Sequence, residues 1–252
     1  MLVEQRHEKI LELLESKNSL KIEELKQYFS VSESTLRNDL RYLEEKNLLR
    51  RAHGGAIKLQ KVNEVSFQQR SLNHQSEKRK IGMAAARYIN SEETIFLDAG
   101  TTVMELALHL PEGYEFNVVT SALNTAMAAA EHANVSVHLV GGLLRPKLQE
   151  LVGPKAVMDI SEISAQTLFL GASGLSFERG VTENHIFSAE VKKAMIQSSE
   201  KVILLLDSSK MGKSFFVDLL PIDKIDVLIT DQNISEEYST KLTDMGIELV
   251  VV

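Results

Sequence analysis

The sequence predicts two folded units: a small N-terminal unit of three helices and a hairpin, and a larger unit of the α/β class with a mainly parallel sheet. Three runs with the apolar spacing of helices precede a glycine pair, Gly54-Gly55, which indicates the first unit. From residue 77 onward, strand-like runs alternate with helix-like runs, as is typical of a parallel sheet. With 252 residues, the chain is long enough for two domains.

The three helices are predicted by their apolar periodicity. The first covers about residues 3–16, and a second, short helix covers residues 22–29. The third begins after Ser32, whose hydroxyl can cap a helix N-terminus. Its Leu36, Leu40 and Leu43 follow one another at i, i+4 and i+7, so they share one face and should pack inward. A short turn between two such helices indicates a helix-turn-helix.

The outward face of the third helix carries small hydrogen-bonding and cationic side chains. These are the residue types that read base edges and hold phosphates, namely Ser34, Thr35, Arg37, Asn38 and Arg41. Two short strands follow between residues 48 and 59, because a glycine pair can supply the positive φ angles of a hairpin. Three basic side chains belong to this hairpin: Arg50, Arg51 and His53. Residues 1–60 are therefore predicted to form a winged helix-turn-helix DNA-binding domain.

Asp39 lies among these cationic residues. Since phosphate would repel a carboxylate, we expect Asp39 to orient Arg37 or Arg41, or to pair within the fold, rather than to contact DNA.

The net charge of −7 is unevenly distributed along the chain. Residues 1–60 carry +1, and residues 61–252 carry −8. The local field decides phosphate binding, so DNA remains a compatible partner. The chain has no Cys, no apolar run of membrane-spanning length and no signal-peptide pattern at its start. These observations predict a cytoplasmic protein without disulfides, thiolate metal sites or a membrane span.

The predicted α/β domain covers residues 77–252 and follows a polar linker at residues 61–76. Its strands are predicted at residues 94–97, 117–120, 135–140, 167–170, 201–206, 227–230 and 248–252. Its helices are predicted at residues 77–89, 103–109, 122–132, 187–198 and 236–245.

Small and polar residues follow five of these strands. Ligands of such sheets usually bind at the carboxyl ends of the strands, so these residues should converge on one site. The candidates are Asp98, Gly100, Thr101, Thr102, Thr120, Ser121, Gly141, Gly142, Arg145, Ser173, Asp207 and Lys210. Tight turns favour the same residue types for backbone reasons, but five strand ends together suit a small, anionic, hydroxyl-rich ligand.

The first sixty residues resemble the DeoR family of bacterial transcription regulators. The motifs that carry the resemblance are VSESTLRNDL at residues 31–40 and LRRAHGGA at residues 49–56. Leu36 stands where the family usually has Ile or Val, and Asn38 stands where a second basic residue is common. Asn pairs best with adenine, whereas Arg favours guanine or phosphate, so Asn38 is a position at which operator preference should differ from that of relatives.

The rest of the chain resembles the DeoR-family sensor domain, which is similar in fold to ribose-5-phosphate isomerase. The shared motifs are EKR at 77–79, DAGTT at 98–102, GGLLR at 141–145, EVKKAM at 190–195, DSSKMG at 207–212 and TD at 230–231. Members generally respond to phosphorylated sugars, which implies that Lys78 and the strand-end residues bind such an effector. Ser121 and Ser173 depart from the family pattern near the implied ligand. The helix around Glu190 is expected to be structural, with its lysines solvated or at an interface.

These observations predict a transcription regulator that represses a carbohydrate-use operon and is released from its operator by a phosphorylated sugar. The expected partners are double-stranded operator DNA, the sugar phosphate and further copies of the chain in a homodimer or homotetramer. No cofactor and no metal ion are expected. The alternatives are an isomerase-like enzyme with an accessory DNA-binding head and a winged helix that binds protein. Isomerases place paired acids in the loop at residues 171–174, which has none here, so we expect no catalysis.

Overall fold

A computed structural model describes residues 3–17, 19–29, 31–45, 49–52, 54–58 and 65–252. The chain divides into two compact units, residues 1–64 and 65–252. Within the described ranges, no helix is both long and apolar enough to span a membrane.

The first unit combines three helices with a small antiparallel sheet. In chain order its elements are α1 (Val3–Lys17), β1 (Ser19–Lys21), α2 (Ile22–Tyr28), α3 (Glu33–Glu45), β2 (Leu49–Ala52) and β3 (Gly55–Lys58). β2 and β3 form the predicted hairpin, and β1, which was not predicted, pairs with the other side of β3. Gly54 has a φ of +82°, and a Cβ on Gly55 would lie 2.0 Å from the carbonyl oxygen of Leu20 on β1, so both glycines are required.

The core of the first unit confirms the predicted leucine face. Leu36, Leu40 and Leu43 are all buried, and they pack with apolar residues of α1, α2 and β2. Ser32 caps α3, because its hydroxyl accepts a hydrogen bond from the Thr35 amide at 3.2 Å.

The second unit is an α/β fold built on a seven-stranded sheet. Its elements up to the middle of the domain are α4 (Phe67–Leu72), α5 (Gln75–Ala85), β4 (Thr94–Leu97), α6 (Thr101–Ala107), β5 (Phe116–Thr120), α7 (Leu123–Ala130), β6 (Val135–Leu139), β7 (Leu143–Arg145), β8 (Glu150–Val152) and α8 (Pro154–Ser161). The remaining elements are β9 (Ala165–Leu170), β10 (Gly174–Ser176), β11 (Gly180–Glu183), α9 (Ile186–Gln197), β12 (Ser199–Leu205), β13 (Val217–Leu220), β14 (Val227–Thr230), α10 (Glu236–Asp244) and β15 (Glu248–Val251).

The large sheet has the strand order β15-β14-β12-β9-β4-β5-β6, and every neighbouring pair is parallel. All seven predicted strands are present, so the predicted fold class is confirmed. Apolar clusters bury both faces of the sheet, as expected when helices cover a parallel sheet on both sides. The hairpin β7–β8, the antiparallel group β10-β11-β13 and helix α8 were not predicted.

The predicted linker at residues 61–76 differs from the structure in its second half. Residues 61–64 lie outside the described residues, whereas residues 65–76 belong to the second unit and are largely helical. The physical reason is a capping box at Ser66: its hydroxyl accepts from the Gln69 amide, and the Gln69 side chain accepts from the Ser66 amide. This reciprocal pair starts α4, and α5 begins at Gln75, two residues before the predicted start at residue 77.

Candidate functional site

The outward face of α3 presents the predicted side chains to solvent. Asn38 and Arg41 are exposed, and Arg37 is exposed but forms an ion pair with Glu33 one turn earlier, at 2.7 Å. The hydroxyls of Ser34 and Thr35 each lie 2.8 Å from the hydroxyl of Ser32. The face is therefore polar and accessible, and part of its positive charge is balanced by a carboxylate on the same helix.

The hairpin places one of its basic residues beside α3. The backbone amide and the guanidinium of Arg51 both donate to the carboxylate of Glu44, at 2.8 and 2.6 Å. This contact fastens β2 to the end of α3. Arg50 lies in β2, and His53 lies outside the described residues.

Asp39 pairs within the fold, which is one of the alternatives that the sequence left open. Its carboxylate accepts from the Arg6 guanidinium at 2.6 and 3.0 Å and lies 2.9 Å from the His7 ring nitrogen, both on α1. Burial by itself would raise the pKa of Asp39, but the hydrogen bonds from Arg6 and His7 lower it below its ordinary value. Asp39 therefore joins α1 to α3 rather than orienting Arg37 or Arg41.

In the second unit, the five predicted strand ends lie side by side. β12, β9, β4, β5 and β6 are consecutive neighbours in the parallel sheet, so the residues that follow them share its carboxyl edge. At the centre, the carboxylate of Asp98 accepts a hydrogen bond from the Gly171 amide at 3.0 Å. α6 begins directly after Gly100, with Thr101 half-buried and Thr102 buried. The predicted clustering of Asp98, Thr101 and the 171–174 loop is thus a feature of the fold.

Lys192 is the main residue at this edge that sequence reasoning missed. Its helix was expected to be structural, with its lysines solvated or at an interface, but the Lys192 side chain is buried inside the second unit and forms an ion pair with Asp98. Its ammonium also donates to the Gly171 carbonyl at 2.9 Å and lies 3.6 Å from Glu183. Burial alone would lower the pKa of Lys192, but Asp98 and Glu183 raise it above its ordinary value. The buried face of α9 therefore places the Lys192 ammonium in the crevice at the carboxyl edge of the sheet.

Ser173 and Glu183 complete the central group. The Ser173 hydroxyl donates to the Glu183 carboxylate at 2.5 Å, so an acid does stand against the 171–174 loop, supplied by β11. The EVKKAM motif at residues 190–195 was the available signal for Lys192. No pattern marked Glu183, the last residue of β11.

A second group of charges forms where β12 ends. Asp207 accepts from the amide and the hydroxyl of Ser209, and Lys210 closes the turn that follows. Lys78 on α5 is buried, and the pKa of its ammonium is lowered first by burial, is raised by Asp207, and is lowered further by Lys210 and Arg70. The charges of Asp207 and Lys210 thus act on the Lys78 ammonium.

The predicted residues beyond β5 make mainly structural contacts. The Thr120 hydroxyl accepts from the Ala122 amide at 3.1 Å, and Ser121 is buried with its carbonyl bonded to Leu151. The Gly141 amide donates to Asp159 at 3.0 Å, and a Cβ on Gly142 would lie 2.8 Å from the Val152 carbonyl oxygen. These four positions shape the rim of the crevice.

Arg145 belongs to a buried polar group with two residues that were not predicted. Its guanidinium donates to Glu150 and Ser188, both at 2.5 Å, and the Ser188 hydroxyl donates to the same Glu150 oxygen. Burial raises the pKa of Glu150, against the lowering effects of Ser188 and Arg145. The group joins the β7–β8 hairpin to α9.

The crevice is therefore built from hydroxyls, backbone amides and charged side chains, some of which form ion pairs with one another. Such a set can hold an anionic ligand and several ligand hydroxyls through charge-assisted hydrogen bonds. Within the residues that the structure describes, no three His, Asp or Glu side chains are grouped so that they could hold a metal ion.

Comparison with known proteins gives matches over both units. The DeoR-like helix-turn-helix domain matches residues 6–62, and the DeoR C terminal sensor domain matches residues 73–232. The uncharacterized HTH-type transcriptional regulator YulB of Bacillus subtilis is 34% identical, with 100% of this chain and 98% of the relative covered. The glycerol-3-phosphate regulon repressor of Escherichia coli K12 is 32% identical, with 97% of each covered. Among solved structures, ribose 5-phosphate isomerase A from Methanocaldococcus jannaschii matches 55% of each chain with 14% identity and a TM-score of 0.42.

Proposed function

The chain belongs to the DeoR family of transcription regulators, and from that premise we propose that it is a repressor of a carbohydrate-use operon that a phosphorylated sugar releases from its operator. The relatives that cover the whole chain are named as regulators or repressors, and the protein is a regulator rather than an isomerase-like enzyme. The name of the glycerol-3-phosphate regulon repressor supports both repression and a phosphorylated metabolite.

The exposed face of α3 supports the DNA-binding half of the proposal. Arg37, Asn38 and Arg41 are accessible on a helix that its leucines hold against the core. A helix of this kind enters the major groove, where Asn and Arg read adenine and guanine. A protein-binding face would carry exposed apolar residues here, and this face carries polar ones. Copies of the chain in a homodimer or homotetramer would place two such helices on repeated half-sites.

The lysines of the crevice are the observation that supports binding of a phosphorylated sugar. Among the described residues neither Lys78 nor Lys210 forms an ion pair, and the pKa of the buried Lys78 ammonium is lowered by burial, raised by Asp207 and lowered by Lys210. Like charges placed together in a partly buried crevice destabilise one another, and a dianionic phosphate group removes that cost. Asp98, Thr101 and Ser173 would then receive the hydroxyls of the sugar.

Two variants test DNA binding and release by the sugar phosphate separately. Arg37→Ala should weaken binding to an operator fragment while the affinity for a sugar phosphate stays unchanged. The variant with both Thr101→Ala and Lys210→Ala should bind the operator normally and fail to release it when the sugar phosphate is added. If Arg37→Ala lowers both affinities, or if release persists in the double variant, the site assignment is wrong.

A further inference from the structure

Strand β7 is the outer strand of the β7–β8 hairpin, and no strand among the described residues pairs with its outward edge. Within the hairpin, Leu144 stands opposite Leu151, whose amide donates to the Ser121 carbonyl at 2.7 Å, on the side away from β7. Leu144 and Leu151 therefore form a non-hydrogen-bonded pair, so the amide and the carbonyl of Leu144 point outward from the hairpin. An open strand edge of this kind is a template for a further strand.

Leucine side chains project from both faces of this open edge. Leu143 and Leu144 are neighbours in β7, so they point to opposite faces of the hairpin, and they are 68% and 42% exposed. The charged residue of the strand, Arg145, donates to Glu150 and Ser188 inside the second unit. Proteins usually protect an exposed edge strand with charges or proline, whereas β7 presents two large apolar side chains, which is typical of a surface that binds protein.

An apolar groove of about 380 Å³ lies between the hairpin and α7. None of its lining residues is charged: they are Leu123, Asn124, Met127, Leu144, Pro146 and Gln149. Helix α7 is also the one helix, among those that the structure describes, without a charged residue, although 25% of the chain is charged. Its Met127 is nevertheless 68% exposed. Depletion of charge around exposed methionine and leucine is the composition found at the centre of protein–protein interfaces.

We propose that β7 pairs with β7 of a second copy of the chain, antiparallel about a two-fold axis that passes beside Leu144. The amide and carbonyl of Leu144 then bond to the carbonyl and amide of Leu144 of the partner subunit, and the two hairpins form one four-stranded sheet. Residues directly opposite each other share a face of the sheet, so the partner subunit's Leu144 lies on the side of the groove. The same edge therefore supplies both an apolar groove and an apolar side chain to cover it. A two-fold interface requires such self-complementarity, which favours a second copy over a different protein.

The interface must also include the exposed face of α7. A stable dimer buries about 800 Å² of surface on each partner, which three residues of strand cannot supply. Met127 and Ala130 are exposed on α7, and Met127 lines the same groove as Leu144. This inference deepens the proposed function and rests on it, since two copies of the chain are needed to bind repeated half-sites of an operator.

Cross-linking of the full-length protein tests the pairing directly. The chain contains no Cys, so Leu144→Cys introduces a single thiol. In the proposed pair the two Cα atoms are about 5.5 Å apart, a separation that a disulfide spans. Leu108→Cys, at a similarly exposed leucine of the same unit, is the matched control. After oxidation with copper phenanthroline we expect a covalent dimer of Leu144→Cys that dithiothreitol reverses, whereas Leu108→Cys should remain mostly uncoupled.

A charged substitution tests the energetics of the same contact. Leu144→Lys places two ammonium groups opposite each other across the axis, where like charges repel. Sedimentation equilibrium of the full-length protein should show a dimer dissociation constant raised at least about tenfold. Leu108→Lys should leave that constant unchanged. Circular dichroism of each variant shows whether its fold is retained.

Two results would overturn the inference and leave the proposed function intact. The first is cross-linking of Leu144→Cys no better than that of Leu108→Cys while the wild type sediments as a dimer or tetramer, which places the interface elsewhere. The second is a wild type that binds operator DNA but stays monomeric at micromolar concentration, which leaves the edge to a different protein. If the wild type fails to bind any duplex from the promoter region of its own gene, the proposed function is overturned instead, and the cross-linking still decides whether β7 pairs.

Discussion

Lys192 on α9 forms a buried ion pair with Asp98 at the end of β4, although 94 positions separate the two residues. The pair joins helix α9 to the carboxyl edge of the sheet, where we propose that the effector binds. The Lys192 ammonium also donates to the carbonyl of Gly171, which follows the neighbouring strand β9. The position of Asp98 in the crevice therefore depends on the buried ammonium of Lys192.

Removing only the cation of this pair should destabilise the protein strongly. Lys192→Met leaves the Asp98 carboxylate buried and unpaired, which costs about 3–5 kcal/mol of unfolding free energy. Urea unfolding followed by circular dichroism measures this. Lys193→Met, at the neighbouring half-buried position, is the control and should cost much less. Adding Asp98→Asn to Lys192→Met should recover much of the loss. Equal stabilities of the Lys192 and Lys193 variants would contradict the structural role of the pair.

We expect Glu33 to limit the DNA affinity of the reading face, the outward side of α3 that carries Ser34, Thr35, Arg37, Asn38 and Arg41. It holds Arg37 in an exposed ion pair and also lies 3.8 Å from Lys26. Glu33→Gln should tighten operator binding a few-fold and steepen the salt dependence by about one phosphate contact, because Arg37 becomes available to DNA. Fluorescence anisotropy at several salt concentrations measures both. Glu12→Gln removes the same charge from an exposed pair on α1 and serves as the control. The same gain in both variants would mean that only overall charge matters.

The contact of Asp39 with α1 should give the stability of the first unit a specific pH dependence. The folded-state pKa of Asp39 is lowered, so the stabilisation is fully present above the ordinary Asp value of about 3.9 and is lost as the pH falls through the folded value. Asp39→Asn should therefore cost about 1–3 kcal/mol near neutral pH and progressively less in acid. Urea unfolding of both proteins between about pH 6 and about pH 3 gives the difference. A difference that stays constant over this range would rule out the ionised contact.

Asn38 should set part of the operator sequence. It is exposed on the outward face of α3, between Arg37 and Arg41. Asn38→Arg should move the preference at one base pair from adenine toward guanine, with about 1–3 kcal/mol of discrimination. Selection from random duplexes, followed by sequencing, measures this. Gln27→Arg, exposed on α2, adds the same charge and should raise affinity without changing the selected sequence. Identical preferences for wild type and Asn38→Arg would place Asn38 away from the bases.

Periodicity predicted the features that depend on local pattern. The leucine face of α3 and the seven parallel strands follow from residue spacing alone, because burial of one helix face or of a whole strand leaves a direct mark in the sequence. The row of strand ends at one edge follows from the parallel order. Helix α4 could also have been predicted from the sequence, since the spacing of Ser66 and Gln69 is that of a capping box.

The partners of the buried charges could not be predicted in the same way. Lys192 and Asp98, or Arg6 and Asp39, are brought together by packing between distant elements, and no local rule pairs them. A lysine beside buried helix positions can extend to solvent as easily as into a crevice. The three-residue strands β1, β7, β8 and β10 are also too short to show an alternation that separates them from loops.

The proposed control of DNA binding by a phosphorylated sugar can be measured directly. The direct measurement is fluorescence anisotropy of the full-length protein on a duplex from the promoter region of its own gene, titrated with a panel of sugar phosphates and the corresponding unphosphorylated sugars. We expect sequence-preferring, salt-dependent binding to the duplex, and release by at least one phosphorylated sugar but not by its unphosphorylated form. Binding that no sugar phosphate changes, or that the unphosphorylated sugar changes equally, would contradict it.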